Sequence, residues 1–205
     1  PSIQCGNVDE VHNDAIYWLN KSEEYGHQWI VCLDEIGPAD KGAMPDSFDP
    51  GHDTVRYKVL WGNLMAGGAG VEWYFGYKYP HSDLSCEDWR SRDNLWDQTR
   101  IALEFFHTYL PFENMVSSDE LTDDPNDYVF AQEGKVYALY LPEGKPADIK
   151  LPEGKYNVTW FNPRSGGDLQ TGNVASIPGG GIRSTGKPPA DDGKDWVCLI
   201  LSQNF

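Results

Sequence analysis

Three segments in the first half of the chain carry the apolar spacing of amphipathic helices. They cover residues 9–25, 53–66 and 93–109. Gly26 follows the first segment and Gly67 follows the second, at the position where a glycine commonly ends a helix. The sequence therefore predicts three helices before residue 110.

Apolar runs alternate with these helices. Residues 29–33 read WIVCL and are apolar at every position, which is typical of a strand buried on both faces of a parallel sheet. Residues 69–77 form a second run, and residues 2–5 form a short extended piece. The resulting order is βαβαβα, so the sequence predicts an α/β fold over residues 1–112.

The pattern changes after Pro111. The second half shows short alternating strands, with the sequences YVFAQ, KVYALYLP, ADIKLP, GKYNVTWFNP and DWVCLIL. Turn residues cluster at 162–167 and 178–181, and no helical spacing continues. The sequence predicts a separate small all-β domain over residues 113–205, a β-sandwich or a barrel, of which we take the β-sandwich as the prediction.

Composition excludes several classes of function. The formal net charge of −16 opposes binding to nucleic acid and to an anionic membrane surface. No apolar run approaches the roughly 20 residues that span a bilayer. The four cysteines show no metal-binding spacing, and they are expected to be buried free thiols or, in an exported protein, partly paired.

Glu35 is the first candidate for chemistry. It follows the apolar run 29–33, and ligands of parallel sheets bind at the carboxyl ends of the strands. A carboxylate held there is partly desolvated and well placed for acid, base or nucleophile work. The alternative is that Asp34 and Glu35 merely solvate the start of a loop.

Glu72 lies inside the apolar sequence VEWYF of the next predicted strand. Carboxylates on adjacent strands could form the pair of a glycosidase, about 5–5.5 Å apart in retaining enzymes. The alternative is a structural ion pair with an arginine such as Arg56.

Aromatic and polar residues follow Glu72 and suit the wall of a sugar subsite. The predicted substrate-binding residues among them are Trp73, Tyr74, Tyr77 and His81. Flat rings can cover the apolar face of a sugar, although aromatic residues also simply build protein cores.

Two blocks of sequence resemble a known family. WIVCLDEIGP and LWGNLMAGGAGVEWYFGY resemble barrel strands seven and eight of bacterial (β/α)8-barrel, or TIM-barrel, glycoside hydrolases with a catalytic Glu on strand seven. KYNVTWFNPRSGG and DWVCLIL are similar to the C-terminal domain, described as collagen-binding, of a group that includes apiosidase-type enzymes acting on plant pectin. The resemblance implies the last three βα units of a barrel over 1–112, followed by that domain.

The resemblance also implies specific roles. Glu35 corresponds to the strand-seven carboxylate, and Trp73 to the aromatic residue that floors the sugar subsite. The acid/base carboxylate of the family lies on strand four, outside this chain, so the isolated chain is expected to be inactive. The chemistry needs no cofactor and no metal, and such enzymes are secreted or periplasmic.

Two functional hypotheses follow. The first is that the chain is part of a glycoside hydrolase acting on a plant or algal polysaccharide, with polysaccharide or oligosaccharide as its ligand. The second is a non-catalytic protein that binds collagen or carbohydrate. An incomplete barrel would leave an apolar face open, which favours self-association.

Overall fold

The computed structural model describes residues 1–190 and 193–204. The chain divides into two compact units, Pro1–Arg100 and Ile101–Phe205. The division falls within one helix, Asp93–Tyr109. The boundary after residue 112 that the sequence suggests stays a prediction.

The regular elements of the first unit are two strands and several helical segments. In chain order these are β1 (Ser2–Cys5), a 3-10 helix (Val8–Glu10), α1 (Val11–Glu24), β2 (Cys32–Ile36), a π-helical segment (Val55–Trp61) continuing into α2 (Gly62–Met65), a 3-10 helix (Trp89–Arg92) and the start of α3 (Asp93–Tyr109).

A β-bulge in β2 sets which side chains face the core. β1 and β2 pair in parallel, with Ile3 opposite Leu33 and Gln4 opposite Glu35, so Asp34 is the extra residue. Because paired residues share a face, Leu33 lies on the core side while Glu35 lies on the other side. Leu33 is fully buried and Glu35 is exposed.

The predicted α/β fold with three βα units of a (β/α)8 barrel is wrong. The structure has three α-helices among the described residues and mostly antiparallel sheets, which makes it mainly β. Residues 69–77 do not form a strand: they contribute one parallel bridge, between Leu33 and Val71. Beyond that bridge the backbone bonds to loops, since the Tyr74 carbonyl accepts from the Ala43 N–H and the Phe75 N–H donates to Asp83.

The strand predicted over residues 29–33 is displaced along the chain. Trp29 and Ile30 are 44% and 73% exposed, so the run is not buried on both faces. The observed strand, β2, begins at Cys32 and includes Glu35. Glu35 is therefore a strand residue and not the first residue of a loop.

The described part of the second unit is an antiparallel β structure with two sheets. Its strands are β3 (Val116–Ser117), β4 (Tyr128–Gln132), β5 (Val136–Leu141), β6 (Asp148–Leu151), β7 (Lys155–Phe161), β8 (Ser176–Pro178), β9 (Gly181–Ser184) and β10 (Trp196–Ser202). The larger sheet has the order β3-β4-β5-β10-β7-β8, and β6 pairs with β9.

Both faces of the larger sheet are covered, which explains why β5 is buried at every position. On one face, residues of β5 share a core cluster with Ile149 and Leu151 of β6. Against the other face lies the end of α3: the ring centroids of Phe105 and Phe161 are 4.7 Å apart, and those of Phe106 and Phe130 are 6.0 Å apart. The last turns of α3 are thus part of this unit's core.

None of the helices in the described part of the chain is both long and apolar enough to cross a bilayer. All four cysteines are free. The Cys5 thiol donates to the Asp14 carboxylate over 2.7 Å, and burial, followed by that hydrogen bond, raises the pKa of Cys5 to about 12. Cys5 is consequently a neutral, structural thiol.

Candidate functional site

Glu35 lies at the carboxyl end of β2, on the side of the sheet away from the core. The bulge at Asp34 directs it there, because without the extra residue Glu35 would share the buried face of Leu33. The carboxylate is exposed and therefore available to a ligand.

Tyr74 is the residue around which several acidic groups gather. Partial desolvation raises its pKa, and the negative charges of Asp83, Glu35 and Asp40 raise it further. The Tyr74 hydroxyl donates to the Ala39 carbonyl oxygen over 2.7 Å. Glu35 is thus one of the acidic residues whose charge acts on Tyr74, and a common functional site for the two residues stays a prediction.

Two glycines allow the loop after β2 to lie directly against the backbone of residues 74–78. Gly42 has φ +53°, and a Cβ there would lie 2.3 Å from the Tyr74 carbonyl oxygen. Gly76 has φ +67°, and its Cβ would lie 2.6 Å from the Asp40 carbonyl oxygen. That oxygen accepts hydrogen bonds from the N–H groups of Tyr77 and Lys78, at 3.1 and 2.9 Å. The loop next to Glu35 is therefore fixed by main-chain contacts.

Two of the acidic groups near Tyr74 have partners. The Asp83 carboxylate accepts from the Phe75 N–H over 2.7 Å. The Asp40 carboxylate lies 3.5 Å from the Lys78 ammonium group. These contacts give Asp83 and Asp40 a role in fixing the loops. Glu35, in contrast, belongs to strand β2.

Trp73 occupies a different environment from Tyr74. Its indole packs against the hydrophobic core of the first unit, and its N–H donates to the Thr99 hydroxyl over 3.1 Å. Thr99 in turn donates to the Leu95 carbonyl oxygen within α3. The indole N–H of Trp73 is engaged within the protein, and its role as the floor of a sugar subsite stays a prediction.

The remaining predicted residues lie at the surface. Glu72 is exposed and follows the bridge at Val71, while Arg56 bonds to the Asp53 carboxylate and the Gly51 carbonyl. Tyr77 is 59% exposed. The imidazole of His81 lies 3.4 Å from the Glu87 carboxylate.

Sequence reasoning missed Arg92, a buried residue that bonds to the main chain of two loops. Arg92 is fully buried, and its guanidinium donates to the carbonyl oxygens of Ala43 and His81 over 2.6 and 3.0 Å. It also lies 4.0 Å from the centre of the Phe75 ring. Burial lowers the pKa of Arg92, against the opposing effect of Asp83 and Asp46. An arginine just before an amphipathic helix gives no signal of such burial.

Sequence reasoning also missed a cleft of about 510 Å³ in the second unit. It lies between the turn that precedes β4 and the connection from β5 to β6. Its lining is Thr122, Asp123, Asp124, Asn126, Asp127, Leu141, Pro142, Glu143, Lys145, Pro146, Ala147 and Asp148. A run of aspartates from 123 to 127 was the available signal, but such runs usually mark a solvated turn.

Metal binding has no support from the described residues, which contain no group of three or more His, Cys, Asp or Glu side chains placed to hold an ion.

Residues 110–202 match a family model described as "Putative collagen-binding domain of a collagenase". The matched segment is just under half of the chain. No curated protein sequence matches the chain.

Two solved structures share the fold. One, named "Glycoside hydrolase", superposes with a TM-score of 0.68 at 13% identity, over 94% of this chain and 46% of that chain. The other is a glycoside hydrolase family 5 protein from Bacteroides vulgatus ATCC 8482, with a TM-score of 0.66 at 15% identity, over 94% of this chain and 45% of that one. The chain spans less than half the length of either protein. These matches support a collagen-binding-type domain within a fold shared with glycoside hydrolases.

Proposed function

We propose that the protein carrying this chain hydrolyses glycosidic bonds in a plant or algal polysaccharide, with Glu35 as a catalytic carboxylate. The observation that carries the proposal is the position of Glu35, exposed near the end of β2 and directed away from the core. The fold shared with two glycoside hydrolases and the sequence resemblance to apiosidase-type enzymes support it.

The proposed chemistry uses Glu35 in its ionised form. In the retaining reaction the carboxylate attacks the anomeric carbon and forms a glycosyl ester, while a second carboxyl group protonates the departing oxygen; water then cleaves the ester. In the inverting reaction a carboxylate activates the water directly. Tyr77, with 59% of its surface exposed, offers a ring against which a sugar can pack.

The test is the release of reducing sugar from pectic and algal polysaccharides by the full-length protein. Replacing Glu35 by Gln keeps the shape of the side chain and removes its charge, so the rate should fall by a factor of about 10³. Glu23→Gln, at an exposed position of α1, is the matched control and should keep the rate. Equal rates in the two variants would remove Glu35 from the mechanism. Residues 1–205 alone are expected to show little turnover, and sustained turnover would contradict that expectation.

Binding without chemistry is the second candidate function, and the family match of residues 110–202 favours it. Both tryptophans of the second unit, Trp160 and Trp196, are buried, so recognition there would rest on other groups. Retention of the whole chain on immobilised collagen and on insoluble polysaccharide distinguishes the two ligands. Retention by neither would leave this unit with a packing role.

A further inference from the structure

The cleft in the second unit has an unbalanced charge. Its lining contains five carboxylates and one ammonium group, that of Lys145. Lys145 forms an ion pair with Glu143, and both side chains are exposed at the rim. Four aspartates therefore remain to define the electrostatic potential inside the cleft, and the potential is negative.

Asp127 is the buried acidic residue of this lining. It is 8% exposed, and its N–H donates to the Asp124 carbonyl oxygen over 3.1 Å, which closes the turn before β4. Among residues 1–190 and 193–204, the hydrogen bond found for Asp127 is that of its main-chain N–H, and the residue lines the cleft. Asp124, by comparison, accepts from the backbone and the side chain of Asn126, each at 2.9 Å.

Close main-chain contacts fix the β5–β6 connection, which forms the other side of the cleft. Gly144 has φ +58°, and a Cβ there would lie 2.2 Å from the Lys194 carbonyl oxygen, so the β5–β6 connection sits directly on that segment. Ala147 exchanges hydrogen bonds with Thr185, its N–H donating to the hydroxyl over 3.0 Å and its carbonyl accepting from the Thr185 N–H over 2.9 Å. The cleft is thus a formed feature of the unit and not a gap in a mobile loop.

We propose that this cleft binds the guanidinium or ammonium group of an arginine or lysine side chain on a partner protein, with Asp127 as the buried carboxylate that receives it. Asp127 is a buried residue at the wall of an acidic cleft, and a charge-assisted hydrogen bond from a cation would offset the cost of ionising its carboxyl there. The volume of about 510 Å³ lies within the usual range for ligand pockets, which runs from about 300 to 1,000 Å³.

Other ligand classes fit the cleft less well. A metal ion lacks a suitable set of ligands in the described residues. The described residues that line the cleft include no aromatic side chain, so they offer a sugar ring no flat apolar surface to stack on. The cleft is not used in the proposed hydrolysis. If either the hydrolysis or the binding of a cation were disproved, the other proposal would be unaffected.

The proposed binding should depend on pH. Burial, and then the charges of Asp124, Glu143 and Asp119, raise the pKa of Asp127 to about 7. These three groups come from the turn, the β5–β6 connection and the 3-10 helix Asp119–Leu121 that surround Asp127. Since a protonated carboxyl attracts a cation less strongly, binding should tighten as the pH rises from 6 to 8.

The experiment uses the whole chain and a blocked pentapeptide, acetyl-Gly-Ser-Arg-Ser-Gly-amide, titrated by calorimetry at pH 6, 7 and 8. The control peptide carries citrulline, which has the shape of arginine without its charge. The variant is Asp127→Asn, and the matched control is Asp168→Asn, an exposed aspartate in the turn region 162–170 that does not line the cleft.

The proposal expects the arginine peptide to bind at least about tenfold more tightly than the citrulline peptide at pH 8. Asp127→Asn should remove that difference and flatten the pH profile, while Asp168→Asn should change neither. Equal binding of the two peptides, absence of binding by the arginine peptide, or the same effect of both variants would each overturn it.

Discussion

Because of Asp127, the folded protein should be less stable at neutral pH than at acid pH. Burial together with Asp124, Glu143 and Asp119 raises its pKa from 3.8 to about 7 in the folded state. Because the unfolded chain ionises at the lower pKa, folding must overcome an increasing cost of charging as the pH rises between these values. The stability conferred by the neutral carboxyl is fully present below the unfolded pKa and is lost as the pH rises toward 7.

The size of this effect follows from the two pKa values. A tenfold difference in proton affinity corresponds to about 1.4 kcal/mol. The difference between 3.8 and about 7 therefore gives a total cost of about 4 kcal/mol above pH 7. Part of that cost, about 1.5 kcal/mol, is already present at pH 5, so the change between pH 5 and pH 8 is about 2 to 3 kcal/mol.

Urea unfolding of the wild type and Asp127→Asn at pH 5 and pH 8 measures this difference. The asparagine cannot ionise, so the gain in free energy of unfolding that it produces should be larger at pH 8 by about 2 to 3 kcal/mol. Asp168→Asn, an exposed aspartate, should show no such pH dependence. The reasoning fails if the effect of Asp127→Asn is the same at both pH values, because the carboxyl would then have an ordinary pKa in the folded state.

Two further substitutions test the first unit. Gly37→Ala places a Cβ 1.9 Å from the Gly6 carbonyl oxygen and should lower the free energy of unfolding in urea by more than about 3 kcal/mol. Gly6→Ala is the control, because a Cβ there meets no atom within 4 Å, and it should lower the free energy of unfolding far less. Equal losses in the two variants would rule out the steric explanation. Trp73→Phe removes the hydrogen bond to Thr99 and should lower the free energy of unfolding by about 1 kcal/mol or more. Trp29→Phe, at a 44% exposed position, should change the free energy of unfolding little. An unchanged free energy of unfolding in Trp73→Phe would mean that the indole hydrogen bond adds no stability.

Periodicity predicted the elements whose stability comes from one amphipathic face. The expected helix over 93–109 is α3 (Asp93–Tyr109), and the expected helix over 9–25 contains α1 (Val11–Glu24). The strand predicted from YVFAQ is β4, with the same limits, Tyr128–Gln132. In these segments the spacing of apolar residues and the burial agree, so the local pattern was sufficient.

Periodicity failed where the backbone departs from a regular repeat. The apolar run 69–77 has the composition of a strand, but the N–H of Phe75 and the carbonyl of Tyr74 bond to loop residues, and Gly76 requires a positive φ. The bulge at Asp34 likewise leaves no trace in the sequence, although it decides which face Glu35 occupies. Long-range main-chain contacts, which determine both features, cannot be read from local spacing.

The two acidic regions of the protein differ in how their carboxylates are satisfied. Near Glu35, the Asp83 carboxylate accepts a backbone hydrogen bond, the Asp40 carboxylate pairs with Lys78, and Glu35 is exposed to solvent. In the cleft of the second unit, Asp127 is buried among like charges. A carboxyl in that setting lowers the stability of the fold at neutral pH unless a cation neutralises it. This difference is the physical reason for proposing different roles for the two residues, chemistry for Glu35 and recognition of a positive charge for Asp127.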